Sequence, residues 1–155
     1  MQHYTQTRIF FGIHLLTYIS LLLLSNFFYP NFDVCIVNDG SKDRTLELLI
    51  ETFEMVEVPF EYVEHVHSAP FKRLFKSTNP AYARLMVVDK VNGGTKADAV
   101  NAGLNVISNP YFINTDVDCI LSKDAMYQCI FPVIQDRHII ASVEKTVKSS
   151  IPTKI

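Results

Sequence analysis

The sequence predicts an α/β fold in which a mostly parallel sheet is flanked by helices. Three segments each show the pattern of a strand, a polar loop and a helix, and this alternation is typical of parallel sheets. The chain has 155 residues, of which 48% are hydrophobic, and this is enough for one domain with a real core. In chain order the segments are FDVCIVNDGSKDRTLELL, LMVVDKVNGGTKADAVNAGLNVIS and YFINTDVDCILSKDA.

The first segment opens with residues 32–37, which we predict to form a buried strand, followed by a turn over 38–41. Asp39 therefore falls at the carboxyl end of the strand. Ser41 and Asp43 suit the first turn of the helix that follows. Apolar residues recur along this helix at i, i+3, i+4 and i+7, which predicts that one face packs on the sheet. They are Leu46, Leu49, Ile50 and Phe53.

The stretch between the first and second segments carries weaker signals. Residues 56–67 alternate faintly and contain Pro59, so we predict one edge strand over 61–65. His65 and His67 would share a face of an extended chain, where a polar surface is a more ordinary role than metal binding. Residues 68–84 combine prolines with several cations, and we expect a loop or short helix bordering the site.

The second segment predicts a strand over 85–88, a loop over 89–94 and a helix from Thr95 onward. Gly93 and Gly94 permit backbone geometry that other residues avoid. Amide groups at a helix N-terminus attract phosphate, and Lys96 lies in the first turn, so an anion site is one interpretation. A tight turn beside a solvated lysine is the other.

The third segment opens with an apolar run over 111–113, which we predict to be a buried strand. Asp116 and Asp118 would then lie at its carboxyl end, the edge where open α/β sheets bind ligands. Two carboxylates spaced Asp-x-Asp suit a hard divalent cation that bridges to a diphosphate. Acidic pairs are also common in loops, so the motif alone leaves both interpretations open.

Beyond the acidic pair, Ser122 is a suitable N-cap for a further helix, which Pro132 would shorten or bend. Residues 138–143 are expected to return as another strand. The helical period is carried by Met126, Cys129, Ile130 and Val133.

Together the three segments resemble the nucleotide-sugar domain of inverting family-two glycosyltransferases. The motifs VNDGSKD, VDKVNGGTKADAVNAGL and TDVDCILSKDAM stand in the order, and at about the spacing, that this family shows, within residues 21–140. The resemblance implies a partial GT-A-type, Rossmann-like domain that binds a nucleotide diphospho-sugar. The activity it implies is glycosyl transfer to an acceptor hydroxyl.

The resemblance also implies roles for particular residues. Asp39 is expected to contact uracil or an equivalent base, whereas the residues alone favour a helix-capping aspartate equally. The residues expected to border the nucleotide and donor sugar are Asn92, Gly93, Gly94 and Lys96.

The acidic motif is implied to hold the metal. Asp118 would bind the metal ion, which would be magnesium or manganese. Asp116 would face the ribose and sugar and serve as a second metal ligand. Asp98 is either an accessory polar group or a helix-surface acid, and we favour the surface role. The expected partner is a nucleotide diphospho-sugar, a UDP-sugar in the first instance, together with a glycan or lipid acceptor.

The chain departs from the family pattern at both ends. No counterpart of the family's first strand precedes Leu21, and no catalytic-base motif or tryptophan-containing acceptor motif follows Ala141. We therefore expect a donor-binding fragment with weak or absent sugar transfer, and an inactive nucleotide-binding or membrane-associated remnant is the alternative. A flavodoxin-like or response-regulator domain also places acids at strand ends, but it would not explain NGGTK together with DVD.

The chain organisation predicted from these patterns has three parts. Residues 1–30 form an apolar helix, 31–143 the nucleotide-sugar domain, and 144–155 a disordered or aberrant tail. Residues 9–32 contain no charged side chain, so the helix is either a membrane anchor or a core element. Arg8 before it favours a cytoplasmic N-terminus. Separately, we expect the domain to lie in the cytoplasm or on the cytoplasmic face of the cell membrane, because it looks like a cytosolic domain.

Composition gives no support for a disulfide- or zinc-stabilised protein, or for a nucleic-acid-binding protein. Cys35, Cys119 and Cys129 are odd in number and lack zinc-ligand spacing, so we expect reduced thiols. The formal net charge of −2 gives no basis for nucleic-acid binding.

Overall fold

A computed structural model describes residues 32–115, 119–120, 122–136, 138–139 and 147–148 of the chain. These residues fall into two compact units, one containing 32–109 and the other beginning at Pro110. Several predictions lie outside the described residues: the apolar helix within 1–30, the metal ligands Asp116 and Asp118, most of the 138–143 strand and most of the tail. None of the helices in the described ranges is both long and apolar enough to cross a bilayer.

The first unit is an α/β structure built on a four-stranded sheet in the order β1-β4-β3-β2. The strands are β1 (Val34–Asp39), β2 (Met55–Val58), β3 (Phe71–Ser77) and β4 (Leu85–Lys90). Strands β1 and β4 are parallel, whereas β3 is antiparallel to both β4 and β2. The α/β class is confirmed, but the described sheet is mixed rather than mostly parallel. Short connections join β2, β3 and β4, and parallel neighbours would need longer crossovers.

The strand β3 is the main element that the sequence did not predict. The expected loop or short helix over 68–84 is instead β3 followed by a 3-10 turn at Pro80–Tyr82, and no strand forms at 61–65. Leu74 and Phe75 are both buried although they are adjacent, so β3 is covered on both faces and lacks an alternating pattern. Exposed cations around them further mask the strand.

The first helix, α1 (Thr45–Thr52), packs where its periodicity predicted. Asp43 Oδ1 accepts hydrogen bonds from the Thr45 main-chain nitrogen at 3.1 Å and from its hydroxyl at 2.6 Å. Asp43 thus satisfies donors at the helix start, where amide groups lack intrahelical partners. The core beneath the helix contains Leu49, Phe53, Met55, Phe75, Leu85 and Val87.

The second helix, α2 (Lys96–Leu104), also begins as predicted, after Thr95. The Thr95 hydroxyl accepts a hydrogen bond from the Asp98 main-chain nitrogen at 3.2 Å and caps the helix. The helix lies close to β1, because a Cβ at Gly103 would stand 3.3 Å from Val37 Cγ2 and 3.8 Å from Cys35 Sγ. Strand β4 extends two residues beyond the predicted Val88, since it stays in register with β1 as far as Lys90.

The second unit contains a helix, α3 (Ala125–Gln135), and a short antiparallel pair, β5 (Cys119–Ile120) with β6 (Val147–Lys148). Helix α3 continues through Pro132, and its N-cap is Asp124, to which the Ser122 hydroxyl donates a hydrogen bond at 2.7 Å. The predicted N-cap at Ser122 is therefore displaced by two residues.

The buried strand predicted over 111–113 is not present. Tyr111, Phe112 and Ile113 are 49%, 55% and 44% exposed, and no strand among the described residues pairs with them. A three-residue apolar run is too short for periodicity to identify a strand, and pairing decides the matter. The expectation that this strand delivers Asp116 and Asp118 to a sheet edge loses its basis.

Candidate functional site

Strands β1 and β4 end together, and polar side chains occupy both ends. Asn38 lies opposite Asp89, and Asp39 lies opposite Lys90. Because these strands are parallel, their carboxyl ends meet at one edge of the sheet. Successive side chains alternate between faces, so the Asp39 and Lys90 pair lies on one face and the Asn38 and Asp89 pair on the other.

Lys90 is the centre of a charged cluster on the α2 side of the sheet. Its side chain is completely buried, at 0% exposure. The ammonium nitrogen donates hydrogen bonds to Asp39 Oδ1 at 2.6 Å and to the Val91 carbonyl at 2.7 Å, and a further one to Asp98 Oδ2. A lysine ammonium has three donors, and all three are used here.

The electrostatics of the cluster favour the charged forms of Lys90 and Asp98. Burial pushes the pKa of Lys90 down, but the hydrogen bonds and charges of Asp39 and Asp98 outweigh it and hold that pKa above its ordinary value. The pKa of Asp98 is lowered, chiefly by its hydrogen bond from Lys90 and then by the Ala69 main-chain nitrogen. Two carboxylates face one ammonium, so the cluster carries an excess of negative charge.

The loop after β4 wraps around Asp39. The Gly93 main-chain nitrogen donates to Asp39 Oδ1 at 3.0 Å, and Asn92 Nδ2 donates to the Asp39 carbonyl at 2.7 Å. Asn92 Oδ1 in turn accepts from the Gly94 main-chain nitrogen at 2.9 Å. Two of the predicted site residues, Asn92 and Gly93, are thus bonded directly to a third, Asp39.

Glycine is required in this loop for two different reasons. A Cβ at Gly93 would stand 1.8 Å from Asp98 Oδ2, a distance that no side chain can occupy. Gly94 has open space but a φ of +78°, a conformation that other residues rarely adopt. Gly40, after β1, combines both constraints, because its φ is +62° and a Cβ there would stand 2.7 Å from the Asn92 main-chain nitrogen.

The structure corrects two interpretations of acidic residues. The sequence favours Asp98 as a helix-surface acid, but its side chain is only 16% exposed and bonds both Lys90 and the Ala69 main-chain nitrogen, the latter at 2.7 Å. The residues alone favour a helix-capping role for Asp39 as strongly as a base-binding role. In the structure its carboxylate accepts hydrogen bonds from Lys90 and Gly93, and it is Asp43 that accepts from the start of α1. In both cases the partners come from distant segments.

The opposite face of the sheet carries a second polar group. Asp89 is buried and accepts from Asn38 Nδ2 at 2.8 Å, while its Oδ2 accepts from Arg73 Nη2 at 2.8 Å and Nε at 3.2 Å. Asn38 Oδ1 is buried and has no hydrogen-bond partner among the described residues. Both faces of this sheet edge therefore carry polar side chains.

Helix α2 also fixes the segment before β3. Asn105 Oδ1 accepts from the main-chain nitrogens of His65 and Val66, both at 2.9 Å, and its amide donates to the Val66 carbonyl and the Tyr62 hydroxyl, both at 2.7 Å. Asn101 Nδ2 donates to the His67 carbonyl at 2.8 Å. An open groove of about 580 Å³ is lined by residues of this segment, among them Tyr62, Glu64 and Phe71.

The structure places some of the predicted site residues and not others. Asp39, Asn92 and Gly93 are brought together, Gly94 adjoins them, and Lys96 is exposed in the first turn of α2. Asp116 and Asp118 lie outside the described residues, so the metal site stays a prediction. Within the described ranges, no three or more His, Cys, Asp or Glu side chains are grouped to hold a metal ion.

Lys90 is a residue of this site that the sequence motifs did not predict. The available signal was a lysine at the end of an apolar strand, a position where burial requires a carboxylate partner. That signal identifies neither partner, because Asp39 lies 51 residues away and Asp98 lies 8 residues away on the next element.

Comparison with known proteins adds no relative: no protein-family model, curated protein or solved structure matches this chain. The fold and site define an α/β protein with a four-stranded mixed sheet and a charged cluster at the carboxyl edge of its parallel strand pair. That edge presents carboxylate acceptors and the N-terminus of α2. Such an arrangement suits a ligand with both N–H donors and an anionic group.

Proposed function

We propose that this chain binds a nucleotide diphospho-sugar and forms the donor-binding part of a glycosyltransferase. The observation that supports the proposal most directly is the bonding of Asp39, at the end of β1, to the Asn92 and Gly93 loop at the end of β4. Ligands of open α/β sheets bind outside the carboxyl ends of the strands, and the two motifs meet at such an edge.

Each group at this edge has a role in the proposal. Asp39 accepts a hydrogen bond from the base, which we propose to be uracil. The diphosphate and sugar lie along the loop of Asn92, Gly93 and Gly94, near the start of α2 and the ammonium of Lys96. Main-chain amides and a lysine at a helix N-terminus favour phosphate oxygens at that place.

The local charge supports the participation of a metal. The Lys96 ammonium balances the excess of two carboxylates over the Lys90 ammonium, so these residues leave the charge of a diphosphate uncompensated. We propose that magnesium or manganese accompanies the diphosphate and is held by Asp118 together with Asp116. In this proposal Asp116 also faces the ribose and sugar. This part of the proposal rests on the Asp-x-Asp motif in the sequence.

The reaction follows from these roles. An acceptor hydroxyl, on a glycan or lipid, attacks the anomeric carbon of the donor sugar, and the bond from that carbon to the diphosphate breaks. The hydroxyl proton passes to a general base, and the nucleoside diphosphate leaves. A divalent ion held by Asp118 and Asp116 would neutralise the charge of the leaving group. The residues described at the sheet edge bind and orient the nucleotide in this scheme.

The thiol chemistry of the chain fits the cytoplasm. Cys35, Cys119 and Cys129 are odd in number and lack zinc-ligand spacing, a pattern that favours reduced thiols and a reducing compartment. We therefore propose a cytoplasmic location, with the apolar segment within residues 1–30 as the candidate attachment to the cytoplasmic face of a membrane.

Isothermal titration calorimetry with UDP, in manganese and in EDTA, tests the proposal. We expect binding in manganese that weakens by about tenfold or more in EDTA, in Asp118→Ala and in Asp39→Ala. Asp33→Ala is the matched control, because Asp33 is an exposed aspartate before the amino end of β1, far along the strand from the site. It should bind like the wild type.

The results would separate the parts of the proposal. Absence of UDP and GDP binding in manganese contradicts nucleotide binding altogether. UDP binding that is unchanged in EDTA and in Asp118→Ala would contradict the proposed metal site but not the proposed nucleotide site.

A further inference from the structure

We propose that Lys90 is a positioning residue that occupies one oxygen of Asp39 and so makes the site select uracil over guanine. The inference rests on the proposed nucleotide-binding function, because it concerns the same base-reading carboxylate. It adds a residue that the motifs do not assign and a reason for the choice of base.

Lys90 acts through Asp39 and not by touching the ligand. Its side chain has no exposed surface, and its three donors go to Asp39, Asp98 and the Val91 carbonyl. A fully buried ammonium with all its donors used has no hydrogen bond to offer a nucleotide. Its effect on binding therefore passes through the carboxylate that it holds.

The two oxygens of Asp39 are in different situations. Oδ1 accepts from Lys90 Nζ at 2.6 Å and from the Gly93 main-chain nitrogen at 3.0 Å. A carboxylate oxygen has about two acceptor sites, so these two bonds fill Oδ1. Among the described residues, every hydrogen bond to the Asp39 carboxylate goes to Oδ1, and the side chain is 24% exposed. The acceptor available to a ligand is Oδ2.

A single acceptor discriminates between bases by the donors on their hydrogen-bonding edges. Uracil presents one ring N–H between two carbonyl oxygens, which matches one acceptor oxygen. Guanine presents a ring N–H beside an amino group, and this pair needs both oxygens of a carboxylate. With Oδ1 filled, the guanine amino group would lose water without gaining a partner, which costs affinity.

The test is the ratio of UDP to GDP affinity, measured by calorimetry in manganese for the wild type and for Lys90→Met. We expect the wild type to prefer UDP by about tenfold, the ratio for one unpaired polar group. Lys90→Met frees an acceptor site on Oδ1, so the preference should shrink to about twofold or threefold. Lys76→Met is the matched control, because Lys76 is an exposed lysine of β3, and it should keep the wild-type ratio.

A purely structural role for Lys90 would weaken both ligands equally and leave the ratio unchanged, which would overturn the inference while preserving the proposed function. A wild type that binds GDP as well as UDP, or better, overturns it as well. A wild type that binds neither ligand overturns both proposals.

Near-ultraviolet circular dichroism checks that the Lys90→Met variant is folded. If Lys90→Met does not fold, the double variant Lys90→Met with Asp98→Asn takes its place, because it removes one positive and one negative charge and leaves no pair of facing carboxylates. The same narrowing of the UDP to GDP ratio is expected, and an unchanged ratio in the folded double variant counts against Lys90.

Discussion

The carboxylate of Asp98 fills the space where a side chain at position 93 would begin: a Cβ on Gly93 would stand 1.8 Å from Asp98 Oδ2. Asp98 has little freedom to withdraw, because Lys90 and the Ala69 main-chain nitrogen both bond it. The loop glycine and the buried ion cluster are therefore one structural unit, and a change in either should disturb the other.

Gly93→Ala should destabilise the protein by about 1–3 kcal/mol, because the methyl group must displace Asp98 from its partners. Urea unfolding measures the loss. In an Asp98→Ala background the methyl group has room, so Gly93→Ala should cost clearly less there than in the wild type. Additive effects of the two substitutions would show that Gly93 and Asp98 are not coupled through this contact.

Stability should fall in acid through Asp98. The pKa of Asp98 lies below its ordinary 3.8, first because Lys90 bonds it and then because Ala69 does. The unfolded chain thus takes up the proton at a higher pH than the native protein. The stabilisation is complete above 3.8 and is lost as pH falls through the lower native pKa. Urea unfolding between about pH 5 and pH 2 should show a shallower decline for Asp98→Asn than for the wild type.

Through Lys90, the free energy of unfolding should fall as pH rises in the alkaline range. The pKa of Lys90 lies above its ordinary 10.5, because the bonds to Asp39 and Asp98 outweigh the effect of burial. This stabilisation is present below 10.5 and is lost as pH rises through the native pKa. In urea unfolding measured at alkaline pH, from below pH 10.5 to above it, Lys90→Met should lack this loss. A wild-type and a variant curve that run parallel above that pH would contradict the assignment.

Asn105→Ala should release the segment before β3 from helix α2. The substitution removes partners from the main-chain nitrogens of His65 and Val66, and local opening should become easier by about 1–3 kcal/mol. Amide hydrogen exchange at these two residues is the measurement. Asn109→Ala is the control, since Asn109 is exposed and makes a long 3.4 Å bond to Asp33. Unchanged exchange at His65 and Val66 would refute the role of Asn105.

Cys35 should be unreactive in the native protein. Burial raises the pKa of its thiol to about 12, so almost no thiolate forms at neutral pH. In a Cys119→Ser and Cys129→Ser background, Cys35 is the remaining one of the three cysteines. A thiol reagent at about pH 8 should label it slowly in buffer and quickly in urea, because unfolding restores an ordinary thiol. Fast labelling of the folded protein would place Cys35 outside the packed interface with α2.

The sequence correctly predicted the elements that can be recognised from a local pattern of apolar residues. The apolar run before Asp39 became β1, the run beginning at Leu85 became β4, and the helical repeat around Leu49 became α1. Thr95 capped α2 because its hydroxyl reaches an amide three residues ahead. Periodicity depends on neighbours in the chain, so the sequence is sufficient to indicate it, whereas the N-cap predicted at Ser122 was displaced by two residues.

Pairing decided the elements that the sequence misidentified. Phe71–Ser77 became a strand because β2 and β4 supply partners on its two sides, although its cations suggested a loop. The apolar run at 111–113 has no such partner among the described residues and is exposed. A strand is stabilised by hydrogen bonds to other strands, and those partners are distant in the sequence.

The sequence by itself determined which chemical groups stand at the ends of β1 and β4, including Asp39, Asn92 and Gly93. Only the tertiary structure decided that Lys90 is buried between Asp39 and Asp98 and that Gly93 has no room for a side chain. The physical reason is that an ammonium removed from water must be surrounded by acceptors, and two of its three acceptors, the carboxylates of Asp39 and Asp98, lie on other elements that folding brings to Lys90.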